Sequence, residues 1–175
     1  MLFSLTKLKI SMDLSLLSIA LAMFLCTLVA GFLLAFSIIV MPGLQTLDDF
    51  GFLNGFKVMD RIIQDNHPIF MIIWVGSVLA VLISGWFAFS SLQGVERLLV
   101  IAAVSLYLLG VQLPTATINI PLNNQLQSYE LGSMDSAALQ QARHIFEWRW
   151  IRWNSIRTII AIIVAALLLV AIIRL

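Results

Sequence analysis

Residues 135–173 read DSAALQQARHIFEWRWIRWNSIRTIIAIIVAALLLVAII, and they carry the strongest signal for the architecture of the chain. It contains neither glycine nor proline, and Asp135 is a residue type that commonly caps a helix N-terminus. A single helix of this length would measure about 58 Å, whereas the hydrocarbon core of a bilayer is about 30 Å thick. Only the second half, 156–173, is apolar enough to cross a membrane. We therefore expect a long helix whose first half protrudes from the bilayer.

The composition of the whole chain is that of an integral membrane protein. Of its 175 residues, 61% are hydrophobic and 11% are charged, with a mean hydropathy of +1.03. Soluble domains are about 25% charged. The net charge of +1 gives no basic surface for nucleic acid, and the single cysteine, Cys26, excludes a disulfide scaffold.

Three further segments are long and apolar enough to span a bilayer, and none shows the alternation of a β-barrel strand. The predicted fold is all-α: a four-helix transmembrane bundle forming a single domain, 14–175, after an N-terminal extension, 1–13. The predicted spans are 14–40, 69–92, 98–118 and 156–173.

The connections between these spans are unequal. A short turn joins spans two and three, whereas the connections 41–68 and 119–155 are long and lie on one side of the membrane, where we expect the functional site. The number of basic residues favours a cytoplasmic location for the long connections. Lys7 and Lys9 flank the first span, however, and no basic residue follows it until Lys57. Because the first span usually dominates, we expect a plasma or inner membrane location with both termini cytoplasmic.

The first long connection contains an amphipathic helix. Asp48 and Asp49 provide an acidic start, and apolar residues recur every three or four positions from Phe52 to Ile63. This pattern predicts a helix that lies in the membrane interface as a lid on the bundle. Its predicted polar face consists of Asn54, Lys57, Asp60 and Arg61.

A polar stripe follows one face of the last helix. At 100° per residue, five side chains point in similar directions, on positions that run from the aqueous side toward the membrane. They are Arg143, Glu147, Trp150, Asn154 and Arg157. Buried arginine must be paired or hydrated, although an arginine at this depth can also extend toward the headgroups. Span three ends in polar residues after Pro114, which should kink the helix. We expect a cavity between these two helices, lined by Asn119, Asn123, Trp150, Asn154 and Arg157, with Arg143 and Glu147 above it on the stripe.

Two histidines are the only side chains that titrate near neutral pH without perturbation. His67 and His144 lie on the two long connections, and Glu147 is one helical turn from His144 and can orient its imidazole. Together with Asp60 or Glu147, the histidines are donor types that bind iron, copper or zinc. No HExxH motif or cysteine cluster supports such a site, so we predict no metal and no other cofactor.

Two sequence stretches resemble a known family: TINIPLNNQL at 117–126 and WIRWNSIR at 150–157. The start of span two, NHPIF at 66–70, is also similar. The chain resembles the anthrone-oxygenase-like family of small four-helix membrane proteins, long catalogued as a domain of unknown function. By position, the family pattern carries over to Asn119, Pro121, Asn123, Trp150, Trp153, Asn154 and Arg157.

The resemblance implies a membrane oxygenase that oxidises a lipophilic anthrone- or quinone-like compound with O2 as co-substrate. In this hypothesis a histidine removes a proton, Arg157 and asparagine amides stabilise the resulting enolate, and tryptophans stack on the substrate. The candidate catalytic residues are His144, His67 and Arg157, and the candidate substrate-binding residues are Asn119, Asn123, Trp150, Trp153, Asn154 and Glu147.

Two other functions are compatible with the same residues. One is a non-enzymatic accessory membrane protein that binds a small molecule or a lipid. The other is a transporter or channel component, which the absence of an internal repeat and of a mid-span charge makes less favoured. The expected partners are the lipid bilayer and a lipophilic small molecule, and a homo-oligomer is left open.

Overall fold

The computed structural model describes the backbone of residues 2–175 and the side chains of residues 12–175, so Lys7 and Lys9 lie outside the described side chains. Within this part of the chain there are five helices, a short 3₁₀ turn at Leu131–Ser133, and no strand. We name them α1 (Leu2–Ala35, continued by a π-helical turn at Phe36–Val40 and by Met41–Gln45), α2 (Asp49–Gln64), α3 (Pro68–Ser91), α4 (starting at Gly94–Leu106 and ending at Ile120–Gln127) and α5 (Ser136–Arg174).

Four of these helices are long and apolar enough to cross a membrane. They are Met12–Gln45, Pro68–Ser91, Gly94–Gln127 and Ser136–Arg174, belonging to α1, α3, α4 and α5. The all-α four-helix prediction is confirmed, and the chain is a membrane-embedded bundle. The ends of α1 and α4 and the starts of α3 and α5 lie at the end of the bundle that carries the long connections.

The long last helix is confirmed. α5 begins at Ser136 and continues to Arg174, with Asp135 as its N-cap. The Ala138 amide donates to Asp135 Oδ1 at 2.8 Å, which satisfies one of the free N–H groups of the first turn. The buried face of α5 includes Phe146, Trp150, Asn154 and Arg157, so the predicted stripe faces the protein interior from Trp150 to Arg157.

The amphipathic helix is also confirmed, with one correction. Asp48 caps α2 by accepting from the Gly51 amide at 2.7 Å. Phe52 and Phe56 pack on Phe146 of α5, with the ring centroids of Phe56 and Phe146 4.7 Å apart. The prediction that Asp60 belongs to the polar face is wrong, because Asp60 is only 3% exposed and shares the buried face with Phe56.

Helix α4 differs from the sequence prediction. We expected a connection from residue 119 onward, but the helix continues to Gln127. Two π-helical turns, Tyr107–Gln112 and Thr115–Asn119, lie on either side of Pro114. Pro114 lacks an amide hydrogen, and widened turns accommodate the missing hydrogen bond within a continuous helix. Much of the predicted connection 119–155 is therefore helical.

A close contact between α4 and α5 lies next to these turns. A Cβ atom at Gly110 would come within 2.8 Å of the Ile160 side chain, so only glycine allows the present spacing. This contact holds Thr115 of α4 near Arg157 of α5. The bundle thus brings the polar end of α4 against the polar stripe of α5.

Candidate functional site

A cavity of about 300 Å³ lies at the end of the bundle that carries the long connections. All five helices contribute to its wall. Small-molecule sites are typically mostly apolar cavities of this size or larger, with a few polar groups that fix orientation. The aromatic part of the wall consists of Phe32, Phe36, Phe56, Phe70, Trp74 and Trp150.

The aromatic side chains form a continuous surface. Trp150 packs against Phe56 and Phe36, with ring centroids 5.0 and 5.6 Å apart, respectively. On the other side, the rings of Phe70 and Trp74 are stacked, with their centroids 5.4 Å apart. Such a wall suits a flat, apolar ligand.

Arg157 brings a positive charge into this apolar cavity. The residue is 3% exposed, and its Nη1 donates to Thr115 Oγ1 at 2.7 Å while Nη2 donates to Asn154 Oδ1 at 3.1 Å. Among the described side chains, no carboxylate lies within 4.0 Å of the guanidinium, and Arg157 Nε has no hydrogen-bond partner. Arginine remains charged in proteins, so this charge is solvated only by neutral groups.

The orientation of Asn154 is fixed from the opposite side. Its Nδ2 donates to Leu33 O at 3.1 Å and to Ser37 Oγ at 2.8 Å, so its oxygen is left to accept from Arg157. Ser37 lies in the π-helical turn of α1 and also contacts Thr158, 3.2 Å away. Neither hydroxyl was predicted from the sequence, because a serine or threonine within a span is common and its partner cannot be read from spacing.

A second polar group of the wall is centred on Asp60. Asn123 Nδ2 donates to Asp60 Oδ1 at 2.7 Å, and Trp150 Nε1 donates to Asn123 Oδ1 at 2.8 Å. Two further amides, Gln64 Nε2 and Gln127 Nε2, donate to Asp60 Oδ2 at 2.7 and 2.9 Å. The cavity therefore contains a carboxylate held by amides in addition to the guanidinium.

The family model for anthrone oxygenase matches residues 61–168, more than half of the chain. The chain belongs to the anthrone oxygenase family. The predicted resemblance is thereby confirmed, and the matched residues include Arg157, Asn154, Trp150 and Asn123 of the cavity wall. Comparison with curated proteins and with solved structures gives no match.

Within this member of the anthrone oxygenase family, five predicted site residues meet at the cavity. They come from two helices, and Asn119 Nδ2 connects those helices by donating to the Trp150 carbonyl oxygen at 3.4 Å. Asn119 Oδ1 is buried and has no hydrogen-bond partner among the described residues. The five residues are Asn119, Asn123, Trp150, Asn154 and Arg157.

Four other candidates lie outside the cavity wall. His144 is exposed and borders a separate surface depression, which Glu147 and Trp148 also line. Glu147 pairs with Arg143 and accepts from Gln45. His67 is exposed at the residue before α3, and Trp153 is half-buried away from the cavity.

The structure does not bring the two histidines to Arg157. Along α5, His144 precedes Trp150 by six residues, which places the two side chains about 120° apart around the helix axis. His67 lies in another segment, at the junction between α2 and α3. Among the described side chains, no three His, Cys, Asp or Glu residues are grouped closely enough to hold a metal ion.

Proposed function

We propose that this protein oxidises a lipophilic, enolisable aromatic ketone of the anthrone or quinone-like class with O2 in the Arg157 cavity. Family membership supports oxygenase-type chemistry, and the aromatic wall supports a flat, apolar substrate. The observation that most supports the proposal is a guanidinium that is 3% exposed and has only neutral partners. Such a group favours a ligand that becomes anionic during the reaction.

Arg157 would act on the enolate. Removal of a C10 proton from an anthrone leaves an electron pair that is delocalised through the rings onto the carbonyl oxygen. Thr115 and Asn154 already hold the guanidinium, so little reorganisation is needed when the negative charge develops. A preorganised donor in a water-poor cavity stabilises such a charge more than bulk water does.

The electron-rich enolate itself would reduce O2. One electron passes to O2, and the resulting superoxide combines with the carbon radical to form a C10 peroxide. Loss of the second C10 proton with cleavage of the O–O bond gives the C10 carbonyl and hydroxide. One anthrone and one O2 thus give one anthraquinone and one water, and the proposal requires no bound flavin, haem or metal.

The proposal is tested by O2 uptake of the purified protein in nanodiscs. We expect anthrone to be consumed with one O2 per anthraquinone formed, above the rate in empty nanodiscs. The matched substrate 10,10-dimethylanthrone, which has no C10 proton, should bind without O2 uptake. Binding of anthrone without any O2 uptake would instead support the non-enzymatic binding protein. Stoichiometric iron, copper or zinc in the same sample would contradict the metal-free O2 step.

We also propose that both termini face the cytoplasm, so that the cavity opens toward the opposite leaflet. The flanking residues Lys7 and Lys9 support this orientation. Cys26 is fully buried, so a cysteine introduced at exposed Gln93 or Ser133 can be labelled selectively. In intact cells, a membrane-impermeant maleimide should label Ser133→Cys but not Gln93→Cys, and the reverse pattern would contradict the orientation.

A further inference from the structure

We propose that Asp60 is the general base that removes the C10 proton of the substrate, an inference that rests on the proposed function. Asp60 is the carboxylate of the cavity wall among the described residues, and it is 3% exposed. It lies on α2, whereas the anion-stabilising Arg157 lies on α5. The two histidines predicted for this role do not line the cavity.

The contacts of Asp60 leave it able to accept a proton. Its two oxygens accept three amide hydrogen bonds, from Asn123, Gln64 and Gln127. A carboxylate has about four acceptor positions, so one remains for a substrate. Fixed donors on both oxygens also hold the carboxyl group in one orientation, as a base of defined geometry requires.

No ion pair neutralises this carboxylate. Within the described part of the chain, no lysine, arginine or histidine nitrogen lies within 4.0 Å of Asp60. Lys57, one turn earlier on α2, donates instead to the Tyr129 carbonyl oxygen. The negative charge of Asp60 is therefore balanced by amide dipoles alone.

Two opposite charges that line one cavity without pairing suit the two reactive ends of an anthrone. Asp60 and Arg157 both line the cavity, yet they are too far apart to form a salt bridge. The carbonyl oxygen and the C10 methylene of an anthrone lie on opposite edges of its central ring. A molecule with its oxygen at Arg157 and its methylene toward Asp60 would use both groups at once, with Trp150 beside its rings.

The proton transfers balance over the whole reaction. In the first step, the C10–H bond breaks, an O–H bond forms on Asp60, and the electron pair enters the enolate. Once O2 has added, protonated Asp60 returns its proton to the C10 peroxide. The carboxylate then takes the second C10 proton as the O–O bond breaks, and that proton combines with the released hydroxide to give water.

Hydrogen exchange in the absence of O2 tests this step alone. Wild-type protein in nanodiscs, under argon in D2O, should accelerate deuterium incorporation at C10 of anthrone, as followed by NMR. Asp60→Asn should lower this rate about 100-fold, within the range typical of general-base catalysis. Anthraquinone, which has no C10 proton, should bind the variant within twofold of wild type. The matched control is Asp65→Asn, at an exposed acid outside the cavity on the same connection, which should exchange normally.

A second variant covers the case in which Asp60→Asn does not fold. The double substitution Asp60→Asn with Gln64→Glu keeps the net charge and a carboxylate–amide pair between the two positions, but moves the carboxylate one helical turn. We expect it to fold and to exchange at least tenfold more slowly than wild type. Exchange at the wild-type rate in either folded variant would overturn the role of Asp60.

The two proposals fail in different ways. Wild-type protein that consumes O2 with anthrone but does not accelerate exchange would overturn Asp60 as the base and leave the oxidation intact. Wild-type protein that does neither would overturn the proposed function and this inference with it.

Discussion

Two arginines on the same helix have opposite surroundings. Arg143 and Arg157 lie fourteen residues apart on α5 and belong to the same stripe. Arg143 pairs with Glu147 at 2.7 Å and with Asp49 at 3.1 Å, and its guanidinium lies 4.5 Å from the centroid of the Phe52 ring. Arg157 is more deeply buried, and among the described side chains its guanidinium donates only to the neutral Thr115 and Asn154.

The different surroundings indicate different roles: Arg143 is a structural contact between helices, and Arg157 is the candidate ligand-binding residue. The charge of Arg143 is neutralised within the protein, and its partners fasten α2 and the end of α1 to α5 through Asp49, Leu47 and Gln45. The charge of Arg157 has no carboxylate partner among the described side chains, and we propose that it serves a ligand in the cavity. Uncompensated buried charge is costly, and proteins place it mainly where function uses it.

The largest expected effect comes from Arg157. Arg157→Gln should lower kcat/KM for anthrone oxidation about 100-fold, because loss of one oxyanion-stabilising donor typically costs that much. Arg157→Lys keeps the charge but loses the planar donor pair that meets Thr115 and Asn154, and should lose about tenfold. Both variants should melt within a few degrees of wild type in detergent. Normal activity in Arg157→Gln would make this residue a membrane anchor, and unfolding of both variants would make it a clamp.

Arg143 should show the opposite pattern. Arg143→Gln removes two ion pairs and a cation–π contact, so the free energy of unfolding should fall by about 1–2 kcal/mol. The anthrone oxidation rate of the protein that remains folded should change less than twofold. Thermal melts and O2 uptake measured on the same sample check both parts. A large loss of activity without a loss of stability would erase the distinction between the two arginines.

Trp150 should give an intermediate result. Trp150→Phe keeps an aromatic ring against Phe56 but loses the hydrogen bond to Asn123 Oδ1, so stability should fall by about 1 kcal/mol. Since Asn123 also holds Asp60, the KM for anthrone should rise a few fold. Steady-state kinetics and denaturation would measure both. An unchanged KM would indicate that this wall of the cavity does not contact substrate.

The smallest effect is expected at His144, one of the two histidines predicted as the base. His144→Gln should change anthrone oxidation less than twofold, because the imidazole is exposed and does not line the cavity. The anthrone oxidation rates of His144→Gln and Asp60→Asn should be measured in the same assay, which compares the two candidate bases directly. A tenfold loss in His144→Gln with a normal melt would restore the histidine hypothesis.

Local signals predicted much of this molecule. The absence of glycine and proline and the Asp135 cap predicted α5, and helical spacing predicted that Trp150, Asn154 and Arg157 share a face. Spacing could also have revealed Asp60, which lies four residues after buried Phe56 and on the same helical face.

Other features depend on partners distant in sequence. The polar run from Asn119 to Asn124 reads as a connection, yet α4 continues through it because Asp60 and Trp150 satisfy its amides. No spacing within α4 contains that information. The neutral surroundings of Arg157 likewise follow from the packing of Ser37 and Thr115, on two other helices, around Asn154 and Arg157.

We propose that Arg157 receives the enolate oxygen of the substrate, and anaerobic absorption spectroscopy provides the sharpest test of this role. Anthrone added under argon to wild-type protein should produce the long-wavelength band of its enolate at a pH where free anthrone remains protonated. Arg143 is ion-paired and lies outside the cavity, so the Arg143→Gln variant should give the same band. Arg157→Gln should abolish it while still binding anthraquinone. A band of undiminished intensity in folded Arg157→Gln would contradict the role of Arg157 as the group that binds the enolate oxygen.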